Sequence, residues 1–317
     1  MSASQSLQES GRSIFENTDS VSTAFLDNFS LTDRSFDISK PQKYHLSIQL
    51  SDRSITYCVL DVERNKYLVI ENIKFNKALG AGIPVEVMQD AFRDNEVLSA
   101  KFKSVSAAYV NNQATLVPVA IYDKSKAEDF LQLNLDSDKK TIGLVIPESL
   151  EFGSDTIREL KSVNLYQFPE NVKKTLRQIH PKVVIKHHSS ILIQSAMLRY
   201  KNQHKKLLLV HFRKDAFEIL VIDDNQLMLY NSFSCQSKED FVYYILFACE
   251  QLSLNPETIE TEILGELDRH SPFYSMLYTY IRNISVSKRP ANFEYSYQFE
   301  DLPSHYYYNL FSQYLCV

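Results

Sequence analysis

The chain has 317 residues, a formal net charge of -5 and 44% hydrophobic residues, enough apolar material for a buried core in one large domain or two ordinary ones. An acidic balance without a concentrated basic footprint argues against nucleic acid as a partner. The longest apolar run, Phe241 to Cys249, is about half of what crosses a bilayer, and Met1 to Gly11 lacks the basic start and apolar stretch of a signal peptide, so a cytoplasmic, non-spanning protein is expected.

In chain order, residues 1–40 are polar with isolated phenylalanines (Phe15, Phe25, Phe29, Phe36). They read as a largely disordered segment whose later phenylalanines strap onto the body. Order is expected from Tyr44. Leu46, Ile48, Leu50 and then Ile55, Tyr57, Val59 alternate with polar residues, giving two antiparallel strands, and a third follows with Tyr67, Val69 and Ile73. Pro84 opens a predicted helix to about Leu98. Strands are predicted at 104–109, 115–117 and 142–146, with helices at 125–133 and 170–179. A strand at 183–185 then leads into a helix from Ser190 to Tyr200, capped by Ser189.

The order then repeats. Strands are predicted at 207–212, 217–222 and 226–233, a helix from the Ser237 cap to about Leu252, a strand at 259–264, a helix at 272–281 and a strand at 284–286. At an offset of 162, Ile48 meets Val210, Leu50 meets Phe212, Tyr57 meets Ile219 and Asp61 meets Asp223. The repeated meander, helix, strand, helix, strand implies two similar lobes, 41–203 and 204–290, the first enlarged by insertions. An aromatic tail, 291–317, is expected to pack on the body or to serve a protein interface.

This order resembles the actin-like ATPase superfamily of actin, Hsp70 and the sugar kinases: an α/β fold of two ribonuclease-H-like lobes with mixed sheets flanked by helices. The run Val183-Val184-Ile185-Lys186-His187-His188-Ser189-Ser190 resembles the strand entering the lobe-connecting helix of the bacterial members. With the C-terminal Leu302-Pro303-Ser304-His305-Tyr306-Tyr307-Tyr308-Asn309-Leu310-Phe311, nearly the whole chain resembles an uncharacterised Bacteroidetes family of that fold. The resemblance implies ATP with magnesium in the cleft between the lobes, and it supplies positions to inspect. Gln49 stands where the first phosphate strand needs an acid and Ser51 where it needs glycine, with Asp52 displaced into the turn, where capping the turn is expected of it rather than rescue of a metal. His211 stands in an acid's place and Arg213 in a glycine's, followed by Lys214. Gly265 keeps half of the adenosine-binding glycine pair, and Glu266 replaces the other half.

The chain has only six glycines where average usage of about 7% gives roughly 22, and glycine is what lets backbone fold closely around phosphate. The expectation is therefore a non-catalytic protein with degraded ATP-binding motifs, no cofactor, no metal and no catalytic residue, acting on an unidentified protein partner as a scaffold or assembly factor. The alternative is a divergent nucleotide binder with weak or no turnover. Arg213, Lys214, Arg269 and His270 are expected at the cleft, paired with Asp52, Asp215, Glu266 and Asp268. His187 and His188, adjacent on an extended segment, are expected to point apart and so not to share a metal. The four cysteines (Cys58, Cys235, Cys249, Cys316) have no CxxC spacing and read as buried thiols.

Overall fold

Alternating apolar positions build two large sheets. In a computed structural model that describes residues 28–75, 85–134 and 150–317, the first sheet starts with an antiparallel meander of β2 (Tyr44–Leu50), β3 (Ser54–Asp61) and β4 (Lys66–Lys74). Parallel strands β5 (Ser104–Tyr109) and β9 (Val184–His187) continue beyond β2. The second sheet repeats the plan with β10 (Lys206–Arg213), β11 (Ala216–Asp223), β12 (Gln226–Ser234), β13 (Glu260–Gly265) and β14 (Asn283–Val286). Its order β12-β11-β10-β13-β14 matches β4-β3-β2-β5-β9 strand for strand. The duplication reaches detail: the β-bulge between Val59 and Leu60 recurs between Val221 and Ile222 at the same offset.

The first sheet carries two further strands against β4: β1 (Phe29–Thr32), antiparallel, and β15 (Glu294–Tyr295), parallel. Regular structure among the described residues thus precedes the expected start at Tyr44, because Phe29 and Leu31 pack on the cluster around Tyr67 and Phe311. A third sheet, β6 (Ala114–Pro118), β8 (Ser162–Pro169) and β7 (Leu150–Ile157), is an insertion whose β7–β8 hairpin the sequence pattern did not reveal. The strand expected at 142–146 lies outside the described residues.

Helices cover the sheets. They are α1 (Val85–Asp94), α2 (Glu96–Ser99), α3 (Ala127–Asn134), α4 (Glu170–Ile179), α5 (His188–Tyr200), α6 (Lys238–Gln251), α7 (Pro272–Tyr280) and α8 (Tyr308–Ser312). The helix expected to reach Leu98 is broken at Asn95, whose carboxamide oxygen accepts from Val97 N–H and Leu98 N–H at 3.0 Å and starts α2. Ser237 caps α6 as expected and closes a capping box with Asp240.

One core fills the space between the first sheet, α1 and α4 around Tyr57, Phe92 and Leu176. A second joins the second sheet to α6 and α7 around Phe217, Phe241 and Leu277. Between the sheets runs α5, with Leu192, Ile193 and Met197 against Leu209, Leu220 and Leu264. The C-terminal aromatics cover the outer side of β3 and β4, where Phe299, Tyr306 and Phe311 are fully buried, each side chain stabilising by about 1.5–3 kcal/mol.

Candidate functional site

The turns that end the first hairpin of each meander face one another across a cavity of about 880 Å³. Gln49, Ser51, Asp52, His211, Arg213, Lys214 and Glu266 all line it. Gly265 sits directly behind, in the parallel register with Phe212.

In the first turn the short polar side chain doing the work is Ser51. Its hydroxyl accepts from Arg53 N–H at 3.2 Å and Ser54 N–H at 3.0 Å, while Ser51 N–H donates to the Ser54 carbonyl at 3.0 Å. Ser51 therefore tightens the turn without a glycine, and the turn-capping role expected of Asp52 belongs to it. Burial raises the Asp52 carboxyl pKa against the pull of Arg53, and neighbouring Asp215 adds to the rise.

The second turn is organised by a residue the motif comparison passed over. Glu218 lies opposite His211 across the β10–β11 hairpin, fully buried. His211 Nδ1 is 2.6 Å from its Oε2, and Arg213 Nε and Nη2 donate to its Oε1 at 2.9 and 2.5 Å. Arg213 Nη2 also donates to Asn112 Oδ1, which comes from the loop after β5 and so ties the two sheets together. Burial alone would raise the Glu218 carboxyl; Arg213 and the His211 bond outweigh it and hold it well below the usual carboxylate range. The signal for Glu218 was present in the sequence, as one carboxylate inside the apolar run Phe217–Ile222.

The expected ion pairing is thereby corrected. Arg213 pairs with Glu218 rather than with Asp215 or Glu266, and Asp215 pairs with Arg53 at 2.5 Å. Arg269 and His270 are exposed and do not line the cavity, because Asp268 and Ser271 turn the chain into α7 there, Asp268 Oδ1 accepting from His270 N–H at 2.8 Å. Lys214 is exposed at the rim.

Gly265 has φ +81, and a Cβ built on it meets the Phe212 carbonyl oxygen at 2.1 Å. Only glycine fits, since the next residue must donate its N–H to that same oxygen, as Glu266 does at 3.0 Å. Gly265 N–H donates to the His305 carbonyl at 2.9 Å, which anchors the C-terminal segment.

His187 and His188 do not diverge. The strand ends at His187 and α5 begins at His188, so the ring centroids lie 4.5 Å apart and both rings bind Asn111. His187 Nε2 donates to the Asn111 side-chain oxygen at 2.9 Å and His188 Nε2 to its carbonyl at 2.8 Å. These bonds fix both tautomers. His187 Nδ1 then accepts from Ser189 N–H at 3.3 Å, making His187 the helix cap in place of the expected Ser189. Ser189 and Ser190 instead accept from Asn164 Nδ2 at 2.8 and 2.7 Å, and Ser190 donates to Asp155 at 2.6 Å. Burial, reinforced by Arg213, pushes the His188 pKa down to about 3. From the C-terminal segment, Asn309 reaches the same place and donates to the His188 carbonyl at 3.0 Å.

Among the described residues no group of three or more His, Cys, Asp or Glu side chains could hold a metal ion, and no helix is long and apolar enough to cross a membrane.

The comparisons agree with this architecture. A protein from Bacteroides thetaiotaomicron VPI-5482, described as having an actin-like ATPase fold and unknown function, superposes with a TM-score of 0.72 at 19% identity. The match covers 89% of this chain and 99% of that one. The PilM–PilN type IV pilus biogenesis complex matches with a TM-score of 0.54 at 12% identity, over 87% and 97% of the respective chains. No curated protein matches. The fold is that of the actin-like ATPases. Because a family model matches residues 33–284, the chain belongs to the protein family of unknown function DUF3822.

Proposed function

We propose that this is a non-catalytic protein of actin-like fold, working in the cytoplasm as a protein-interaction or assembly scaffold. The observation that carries the reading is the buried Arg213–Glu218–His211 cluster. In this fold the second turn is where a phosphate is held by glycine backbone, and an acid nearby handles the metal. Here a guanidinium occupies that turn with its charge already matched by Glu218, and the acid's position is a histidine bonded to the same carboxylate. At the first turn the backbone N–H of Ser54 and of Arg53 are taken by Ser51. Magnesium prefers carboxylate and water oxygens in octahedral array. Asp52, its charged form disfavoured by burial and by Asp215, is a poor start for such a site. These residues do not fit a magnesium-bound triphosphate.

A scaffold reading is also consistent with the PilM–PilN neighbour, which is itself a complex. The second reading, a divergent nucleotide binder, is favoured by one observation, the size of the cavity, which falls within the range of small-molecule sites. Equilibrium calorimetry of the full chain with ATP and magnesium separates the two. Absence of binding up to millimolar nucleotide is expected. Saturable binding of ATP that requires magnesium would overturn the proposal.

A further inference from the structure

We propose that the cavity between the two sheets binds an uncharged polyhydroxyl compound, whose hydroxyls donate to His188 Nδ1 and Asn309 Oδ1. This goes beyond the scaffold reading, which stands or falls with ATP and not with this ligand.

Two buried acceptors line the cavity of about 880 Å³. His188 is 1% and Asn309 3% exposed. His188 Nε2 donates to the Asn111 carbonyl, so its Nδ1 carries a lone pair. Asn309 Nδ2 donates to the His188 carbonyl, so its Oδ1 is the end left over. Neither Nδ1 nor Oδ1 has a partner among the described residues. A buried acceptor without a donor is costly. Two of them on residues that touch, in a cavity of ligand size, mark a place for a group that donates to both. Gln49 Nε2, from β2, is a buried donor at the same cavity and likewise lacks a partner among the described residues.

The backbone is strained at the same place. Tyr307 lines the cavity and precedes α8 with φ +55. Left-handed backbone at a tyrosine persists only where the surroundings impose it, and such residues gather at ligand sites. The turn at Tyr307 starts the helix that carries Asn309 to His188.

Charge selects the ligand. Burial keeps the His188 ring neutral, and the repulsion of Arg213 for a second positive charge there exceeds the attraction of Glu218. An ammonium group at His188 meets the same field. An anion meets two lone pairs, together with the carboxyls of Asp52 and Glu266 on the cavity wall. Burial shifts both carboxyls towards their uncharged forms. An uncharged ligand avoids both conflicts. A hydroxyl donates and accepts, so neighbouring hydroxyls serve Nδ1 and Oδ1 as donors and Gln49 Nε2 as an acceptor. Tyr109, Phe212, Phe273 and Tyr307 add aromatic surface for the carbon skeleton.

Saturation-transfer difference NMR of the full chain with millimolar D-glucose, D-ribose or myo-inositol, and with adenine for comparison, tests this. At least one polyol is expected to bind saturably. Asn309→Leu is expected to abolish that binding and Gln49→Leu to weaken it at least about tenfold. Gln49 Nε2 has no hydrogen bond to lose, so the melting curve of Gln49→Leu is expected to match wild type. A wild type that binds none of the three polyols, the cavity then holding water only, overturns the proposal and leaves the scaffold reading standing. Polyol binding that Gln49→Leu leaves unchanged, or binding of adenine and of no polyol, overturns it as well. Binding of ATP with magnesium overturns the scaffold reading instead.

Discussion

Arg213 and Glu218 are joined by two hydrogen bonds, 2.9 Å from Nε and 2.5 Å from Nη2, with the carboxylate fully buried and the guanidinium mostly so. A surface ion pair contributes about 0–1 kcal/mol, and the Arg53–Asp215 pair at the cavity rim, with both side chains more than a third exposed, belongs in that class. The buried pair does not, because removing either partner strands the other charge.

Glu218→Ala is therefore expected to lose about 3–5 kcal/mol in chemical denaturation, and Arg213→Ala a comparable amount. Replacing both, Arg213→Met with Glu218→Leu, is expected to cost less than the sum of the two, since no unpaired charge remains. Additive losses would show that the two groups do not act on each other.

Stability is expected to fall with acid in a defined window. His45, its ring between Ser104 Oγ and Ser106 Oγ, is pushed down to about 4 by burial, and His188 to about 3 by burial and Arg213. Both folded values lie below the unfolded value of about 6.5. The unfolded chain therefore takes up these protons first, and the stabilisation present above about pH 6.5 is lost as pH falls towards 4 and 3. The slope reaches about 1.4 kcal/mol per pH unit for each histidine. Denaturation at pH 7, 6 and 5 measures it, and His45→Gln should flatten the curve.

Gly265→Ala is expected to cost more than about 1 kcal/mol, because φ +81 is strained for alanine and its Cβ lands on the Phe212 carbonyl oxygen. The readout is melting temperature. An unchanged value would mean that the β13 turn relaxes freely.

The C-terminal segment is expected to be integral to the fold. Phe311 is fully buried, and its carbonyl accepts from Tyr67 OH at 2.7 Å, while Gln313 Nε2 donates to the Ile48 carbonyl at 3.3 Å. Phe311→Ala should cost about 3–5 kcal/mol, measured by denaturant titration.

The second sheet was largely legible because its signals are local: period-two strands, short turns and the Ser237 capping box. The matching bulges at Val59 and Val221 show that the offset alignment recorded real equivalence. The β7–β8 hairpin escaped notice because polar residues sit where a strand pattern wants apolar ones. Asp155 and Asn164 are buried and find partners on α5, tens of residues away: Ser190 donates to Asp155, and Asn164 donates to Ser189 and Ser190. β1 was hidden for a related reason, since four residues owe their order to β4, about forty positions later. At the site, every candidate of the two turns came to the cavity, but their pairing did not follow sequence proximity. Glu218 took Arg213 across a hairpin, and Asn111, Asn112 and Asn309 entered from three-dimensional neighbours that no spacing rule connects.

The central claim is that the cleft keeps the shape of an actin-like ATPase site without its phosphate chemistry. The most direct measurement is the melting temperature of the full chain with and without millimolar ATP and magnesium. A ligand at a hundredfold excess over its dissociation constant stabilises the folded state by about 2.7 kcal/mol, a readily visible rise. The account predicts no shift; a clear upward shift that requires both ATP and magnesium would contradict it.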